Sequence, residues 1–263
     1  MPVSNTGIFV MNMNLAIDIG NTFVHFGVFR GKKLAEQVSV PNSDLPAIKK
    51  SWNFLFKRYD ISGVAIASVN PKAEQIIRKL LPKTLKALTL TASNKIKLPV
   101  SIKVQNSTTL GTDRICNAVY GYIKSAGKNS LVIDLGTANT YDLVLKDGSF
   151  LGGIIAPGLT TSALALHTNT AKLPVVSLLS IRKRIPLIGR NTQEAISSGL
   201  LHYMLFATEG IVAAAKKQYG RNLQVYLTGG SAKLIASRVN FKCKYVQNTV
   251  LEGLNMIINF NKS

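Results

Sequence analysis

Between Leu15 and Thr22 the chain reads LAIDIGNT, an apolar run that stops at an acid, a glycine and two small polar residues. Between Leu131 and Thr140 it reads LVIDLGTANT, with Leu, Ile, Asp and Gly in the same register 116 residues later. Each run predicts a buried strand with a carboxylate at its end. After the first come FVHFGVF, a turn at Arg30 to Lys33 and LAEQVSV, a predicted hairpin. DLPAIKKSWNFLFKRY predicts a helix, GVAIASV a short buried strand, PKAEQIIRKLL a helix opened by Pro71, and KALTL a strand. In the second half TYDLVL, a KDG turn and SFLGGIIAPG predict another hairpin. From Asn191 a long helical pattern runs through TQEAISSGLLHYMLFATEGIVAAAKKQYG. Strand LQVYLTGG, helix SAKLIASRV, strand KYVQ and a last helix ending near Phe260 follow.

Three antiparallel strands followed by alternating helices and strands, twice, predict two α/β domains related by duplication. Small polar residues near Ala126 to Asn129 mark the join. The expected division is therefore a disordered leader at 1–12, a first domain at 13–126 and a second at 127–263. The leader lacks the basic and apolar regions of a signal peptide, and Met11 or Met13 serves equally well as a start. The longest greasy segment, from Leu200, carries His202 and Glu209 and falls short of the ~20 apolar residues of a membrane span. Cys116 and Cys243 are the only cysteines and form no CxxC, which disfavours a disulfide scaffold or zinc site and fits the cytoplasm.

With 32 basic and 12 acidic residues the net charge is +20. It is spread evenly: residues 1–126 hold 17 basic and 6 acidic side chains, residues 127–263 hold 15 and 6. Only Arg182 to Arg184 form a basic triplet, read as a solvated loop. Such a distribution predicts no nucleic-acid partner beyond weak, sequence-independent contact.

A strand that ends in Asp and Gly places a carboxylate at the C-terminal edge of its sheet, where open α/β sheets bind ligands. A carboxylate repels phosphate, so in such a site it holds Mg²⁺, a monovalent cation or a cation-bound water that bridges to a nucleotide. The plainer reading, a simple strand-to-turn exit, suffices for one copy; two copies in register favour the cation. GxxxxGK[ST] and GxGxxG are both absent, so P-loop and Rossmann phosphate cradles are unsupported.

An ordered set of motifs narrows the reading: DIGNT at Asp18 to Thr22, GTDR at Gly111 to Arg114, DLGTANT at Asp134 to Thr140, GGIIAPG at Gly152 to Gly158, TAKLP at Thr170 to Pro174, GRNT at Gly189 to Thr192 and TGG at Thr228 to Gly230. Together they resemble the acetate and sugar kinase, Hsp70 and actin superfamily and, within it, the type III pantothenate kinases. The resemblance implies two duplicated actin-like, ribonuclease H-like domains with a nucleotide cleft between them. It implies ATP-dependent phosphorylation of pantothenate to 4′-phosphopantothenate, the first step of coenzyme A biosynthesis. Asp18, Gly20, Asn21 and Thr22, and on to His25, would contact ATP phosphates, with Mg²⁺ at Asp18. Gly111, Thr112, Asp113 and Arg114 would hold pantothenate, Asp113 accepting the proton of its primary hydroxyl. Asp134 would bind K⁺ or NH₄⁺, Thr137 would touch ATP, Thr192 pantothenate, and Gly229 with Gly230 would lie near the adenosine. A homodimer is implied as well.

The residue types admit other readings beside these. Asp113 opens the helical pattern TDRICNAVYGYI and is equally suited to be its N-cap. His25 and His202 sit among apolar neighbours, as core or rim histidines do, and Asp142 alternates with apolar residues as a polar strand position. Val104 and Ser107 stand where the resemblance calls for an aromatic residue and a proline, which implies an altered acceptor pocket. A nucleotide-binding regulatory protein with weak kinase activity and a kinase of another small alcohol are the alternatives. ADP release with pantothenate against other alcohols separates them.

Overall fold

The computed structural model describes residues 13–178 and 185–262; the expected leader and the basic triplet lie outside them. In chain order the first elements are β1 (Met13–Ile19), β2 (Phe23–Arg30), β3 (Lys33–Pro41), α1 (Leu45–Arg58), β4 (Ile61–Ser68), α2 (Pro71–Leu80), α3 (Lys83–Lys86), β5 (Leu90–Thr91), β6 (Ser101–Ile102) and α4 (Thr112–Lys124). There follow β7 (Ser130–Leu135), β8 (Ala138–Val144), β9 (Ser149–Pro157), α5 (Leu159–Thr168), α6 (Thr192–Tyr219), β10 (Gln224–Thr228), α7 (Ala232–Ala236), β11 (Lys244–Tyr245) and α8 (Thr249–Lys262).

The first sheet has the order β3-β2-β1-β4-β5 and the second β11-β10-β7-β8-β9-β6. In each, an antiparallel meander continues through two parallel strands on its first member: β4 on β1 and β5 on β4, then β10 on β7 and β11 on β10. The predicted duplication is thus visible in five strands of each sheet. The sequence pattern does not predict three elements, α3, β6 and α5; α3 is a single turn of four residues, Lys83–Lys86. β6 is two residues long, too short to show a period, and joins β9 in parallel. The sequence of α5, LTTSALALHT, buries only Leu159 and Ala163 and shows little helical periodicity.

The chain forms two compact units whose limits differ from the expected boundary at 126/127. One holds the described residues of Met1–Pro99 with Thr108–Val119 and Val250–Ser263; the other holds Val100–Ser107 and Tyr120–Thr249. In the first unit strand alternation divides β1 between two faces. Leu15, Ile17 and Ile19 join Phe26, Trp52 and Ile77 in a core covered by the helices. On the other face the α8 end of the chain returns: the Asn14 amide donates to Asn255 Oδ1 at 2.8 Å and Asn259 Oδ1 at 3.0 Å, and Asn14 Oδ1 accepts from Lys262 Nζ at 2.8 Å. Such buried amide contacts are invisible to hydrophobic periodicity, so the sequence pattern alone places the last helix in the second domain.

In the second unit Leu131, Ile133, Leu135, Tyr141 and Leu143 pack with Leu201, Met204 and Val212 of α6. Helix α6 starts at an Asn191 cap that accepts from Glu194 N at 2.9 Å. By length and composition it is apolar enough to cross a membrane, and 44% of its most apolar window is buried inside the protein.

Candidate active site

Asp18 lies near the C-terminal end of β1, half-buried, opposite His25 on β2 and Ala67 on β4. Past it the chain turns, with Gly20 N donating to Phe23 O at 2.9 Å, and leaves Asn21 and Thr22 exposed. His25 Nδ1 lies 2.7 Å from Ser39 Oγ, its ring stacks on Phe23, and burial lowers its pKa. A neutral imidazole on the rim is the state this environment favours.

Helix α4 meets the same sheet edge. The Thr112 hydroxyl accepts from Ser68 N at 2.8 Å and donates to Ser68 O at 3.1 Å, which ties the first turn of α4 to the end of β4. Ser68 pairs with Ile19, next to Asp18. The helix's first backbone bond runs from Ile115 N to Gly111 O, so Gly111 occupies the cap position and Asp113 belongs to the first turn. The Asp113 carboxylate accepts from Arg114 N at 2.8 Å, and an acid there also favours the helix dipole. A Cβ at residue 111 would stand 2.5 Å from Asp113 Oδ1, so glycine there leaves room for the carboxylate.

Cys116, three residues on, is fully buried. Burial raises its thiol pKa well above the usual value, and the negative charges of Asp18 and Asp113 raise it further. Asp18 and the Asp113 turn are set at one sheet edge by the Thr112 bonds to Ser68 and by the pairing of Ser68 with Ile19. The structure brings Asp18, Gly20, Asn21, Thr22, His25 and the Gly111–Arg114 turn into a single unit.

The second unit repeats the first motif. Asp134, half-buried near the end of β7, pairs with Thr140 on β8 and Thr228 on β10. Gly229 has φ +94°, and a Cβ there would run into Asp134 Oδ1 and stand 2.7 Å from Leu135 N. Glycine is required by both backbone and space. Gly230 beside it is exposed, with open space where a Cβ would be. Thr137 is exposed, and its carbonyl is fixed by Gly158 N at 3.0 Å and Thr161 Oγ1 at 2.6 Å. Asp134, Thr137, Gly229 and Gly230 thus share one edge of the second sheet. Asp142, read as a polar strand position, is fully buried and accepts from Thr140 Oγ1 at 3.2 Å.

Thr192, the first residue of α6, lies in this unit too, on the wall of a cavity of about 1200 Å³. The cavity is lined chiefly by apolar residues, Ile154, Leu159, Leu166, Tyr203 and Met204 among them. Asn139 on its wall is 3% exposed and donates to Pro157 O at 3.2 Å, while its Oδ1 accepts no hydrogen bond among the described residues. Neither this cavity nor Asn42 and Ser68 was read from the sequence. PNSD at 41–44 signals only a turn, and Ser68 contributes its backbone, for which no residue pattern exists.

A profile of the type III pantothenate kinase family matches residues 14–214. The chain belongs to the type III pantothenate kinase family. The type III pantothenate kinase of Moorella thermoacetica is 33% identical over 258 residues, covering 95% of this chain and 100% of that one. That of Desulfosudis oleivorans is 36% identical over 254 residues, covering 93% and 98%. Among solved structures, a conserved Campylobacter jejuni protein named for the Baf family of transcriptional activators superposes with a TM-score of 0.58 at 19% identity, over 94% of this chain and 98% of that one. A glucokinase from an Antarctic psychrotroph superposes with a TM-score of 0.52 at 11% identity, over 95% and 99%. At these identities the two structures establish a shared fold alone.

For this kinase, Gly229→Ala should be destabilised in urea by about 1 kcal/mol or more, since an L side chain is placed at positive φ against a neighbouring carboxylate. Gly230→Ala, in open space, should unfold within about 0.5 kcal/mol of the parent. Equal midpoints for the two variants would remove the close approach of Gly229 to Asp134.

Proposed function

We infer that this protein transfers the γ-phosphoryl group of ATP to the primary hydroxyl of pantothenate, giving 4′-phosphopantothenate in the first step of coenzyme A biosynthesis. The observation that carries this reading is that the Thr112 hydroxyl ties the Asp113 turn to Ser68, beside the strand end that bears Asp18, which sets one acid suited to a cation and one suited to a hydroxyl proton at a single sheet edge. Among the described residues no three His, Cys, Asp or Glu side chains gather to hold a metal alone. Mg²⁺ held by one carboxylate and phosphate oxygens needs no such cage, so Asp18 fits a cation that arrives with ATP. When bound, Mg²⁺ neutralises charge on the phosphoryl group.

The loop from Gly20 to Thr22, with His25 beside it, faces the nucleotide phosphates. Asp113 accepts the proton of the pantothenate hydroxyl as its oxygen meets phosphorus. Phosphoryl transfer depends mainly on positioning and charge, so a carboxylate in hydrogen-bond reach is base enough. Arg114 grips the pantothenate carboxylate, which a guanidinium can take in two parallel hydrogen bonds. Gly111 and Thr112 shape that turn: Gly111 by its missing side chain, Thr112 by its bonds to Ser68. Thr137 contacts ATP, Gly229 and Gly230 lie at the adenosine, and Thr192 contacts pantothenate. Asp134, at the strand edge, holds K⁺ or NH₄⁺.

A homodimer and a cytoplasmic setting complete the reading. Ile155, Leu164, Tyr203 and Phe206 are 63, 54, 77 and 55% exposed on β9, α5 and α6. Apolar exposure of this kind marks an interaction face, and a second copy of the chain is its occupant here. Both cysteines are free thiols, the state the cytoplasm maintains.

Asp113→Asn, nearly isosteric, should keep its stability within about 1 kcal/mol because the amide oxygen still accepts from Arg114 N. It should bind both substrates yet turn over at least about 100-fold more slowly in a coupled ADP-release assay, having lost the proton acceptor. Near-normal turnover would exclude Asp113 as the base. At saturating Mg²⁺, turnover should be faster in K⁺ or NH₄⁺ than in Na⁺, and Asp134→Asn should abolish the difference. Equal rates in all three salts would remove the cation from Asp134. Tyr203→Glu should sediment as a monomer while the parent sediments as a dimer; a monomeric parent would refute the dimer.

A further inference from the structure

The turn after β1 is held by a residue from the end of β3. Asn42 N donates to Thr22 O at 2.9 Å, and the Asn42 side-chain amide donates to Gly20 O at 3.1 Å and to Asn21 O at 2.6 Å. Three successive carbonyls of the turn thus accept from one residue. In a trans peptide the N–H points opposite to the C=O of the same plane. With the Gly20 and Asn21 carbonyls drawn toward Asn42, the N–H groups of Asn21 and Thr22 are turned away from it. Neighbouring backbone N–H groups turned to one side form an anion-binding concavity, whereas carbonyls on that side would repel phosphate.

We propose that Asn42 is a positioning residue for the nucleotide phosphates: its amide turns the Gly20 and Asn21 carbonyls inward so that the backbone N–H groups of this turn face the anion. Asn42 touches neither substrate in this account and acts through the turn. The proposal rests on the reading that Asp18 to Thr22 bind ATP. Glutamine at the same position would carry the amide one methylene too far to reach both carbonyls.

The test compares Asn42→Asp, Asn42→Ala and Asp18→Asn in steady-state assays of the full chain, with thermal melts of each. Asn42→Asp keeps the shape and the backbone bond to Thr22 but sets a carboxylate against two carbonyls. Loss of two hydrogen bonds corresponds to roughly tenfold or more in affinity. The KM for ATP should therefore rise about tenfold or more in Asn42→Ala, which loses both bonds, and at least as much in Asn42→Asp, which also repels the two carbonyls. The KM for pantothenate should stay within about twofold and kcat at saturating ATP within about threefold, because uniform binding alone is lost. A merely structural role would instead lower the melting temperature and kcat and leave the KM for ATP in place, and that result overturns the proposal. If Asn42→Asp fails to fold, Asn42→Ala decides by the same split. Should Asp18→Asn leave ATP binding untouched, the parent reading of the turn falls. Should Asp18→Asn weaken ATP binding while both Asn42 variants keep the parent KM, Asn42 alone is refuted.

Discussion

The hydroxyl of Thr112 holds the backbone of Ser68 from both sides, taking its N–H and giving to its C=O. This pair of bonds fixes the start of α4 against the end of β4, and β4 lies in register beside β1. A carboxylate on the first turn of a helix and a carboxylate on the end of a strand are thereby set at one sheet edge. Valine at position 112 would keep the volume and lose both bonds, leaving two backbone groups of Ser68 to find water. Asp113 would then be carried by a helix whose start had lost its tie to the sheet.

The same economy recurs around each strand-end acid. In both units a buried strand ends in Asp at a half-buried position, and the following residues turn out to solvent. What supports the turn differs. Asn42 gathers the carbonyls after Asp18, whereas Gly158 and Thr161 gather that of Thr137 after Asp134. Duplication preserved the sheet and the carboxylate, and each copy acquired its own support. The acids carry different proposed cations accordingly, Mg²⁺ with the phosphates at Asp18 and a monovalent ion at Asp134.

Much of this was legible in the chain because it rests on local patterns. The two Asp-Gly strand ends, their hairpins and the long helix after Asn191 follow from periodicity and capping, and the strand order within each sheet bears out the repeat. The GTDR turn was legible as chemistry, but its alternative as a helix cap needed the Ile115 to Gly111 bond to resolve. What stayed hidden depends on contacts distant in sequence. Helix α8 returns to β1 through Asn14, Asn255 and Lys262, polar side chains that no apolar pattern would pair. Asn42 reads as a turn residue, and its bonds to Gly20 and Asn21 exist only once β2 and β3 are paired.

The central claim is that Asp113 meets the hydroxyl that receives the phosphoryl group. The direct measurement is a crystal structure of the kinase with a non-hydrolysable ATP analogue, Mg²⁺ and pantothenate. The pantothenate primary hydroxyl should lie about 2.6 to 3.2 Å from an Asp113 carboxylate oxygen, with the nucleotide phosphates on the turn after Asp18. Pantothenate bound with that hydroxyl out of reach of Asp113, or phosphates lying away from Gly20 to Thr22, would contradict it.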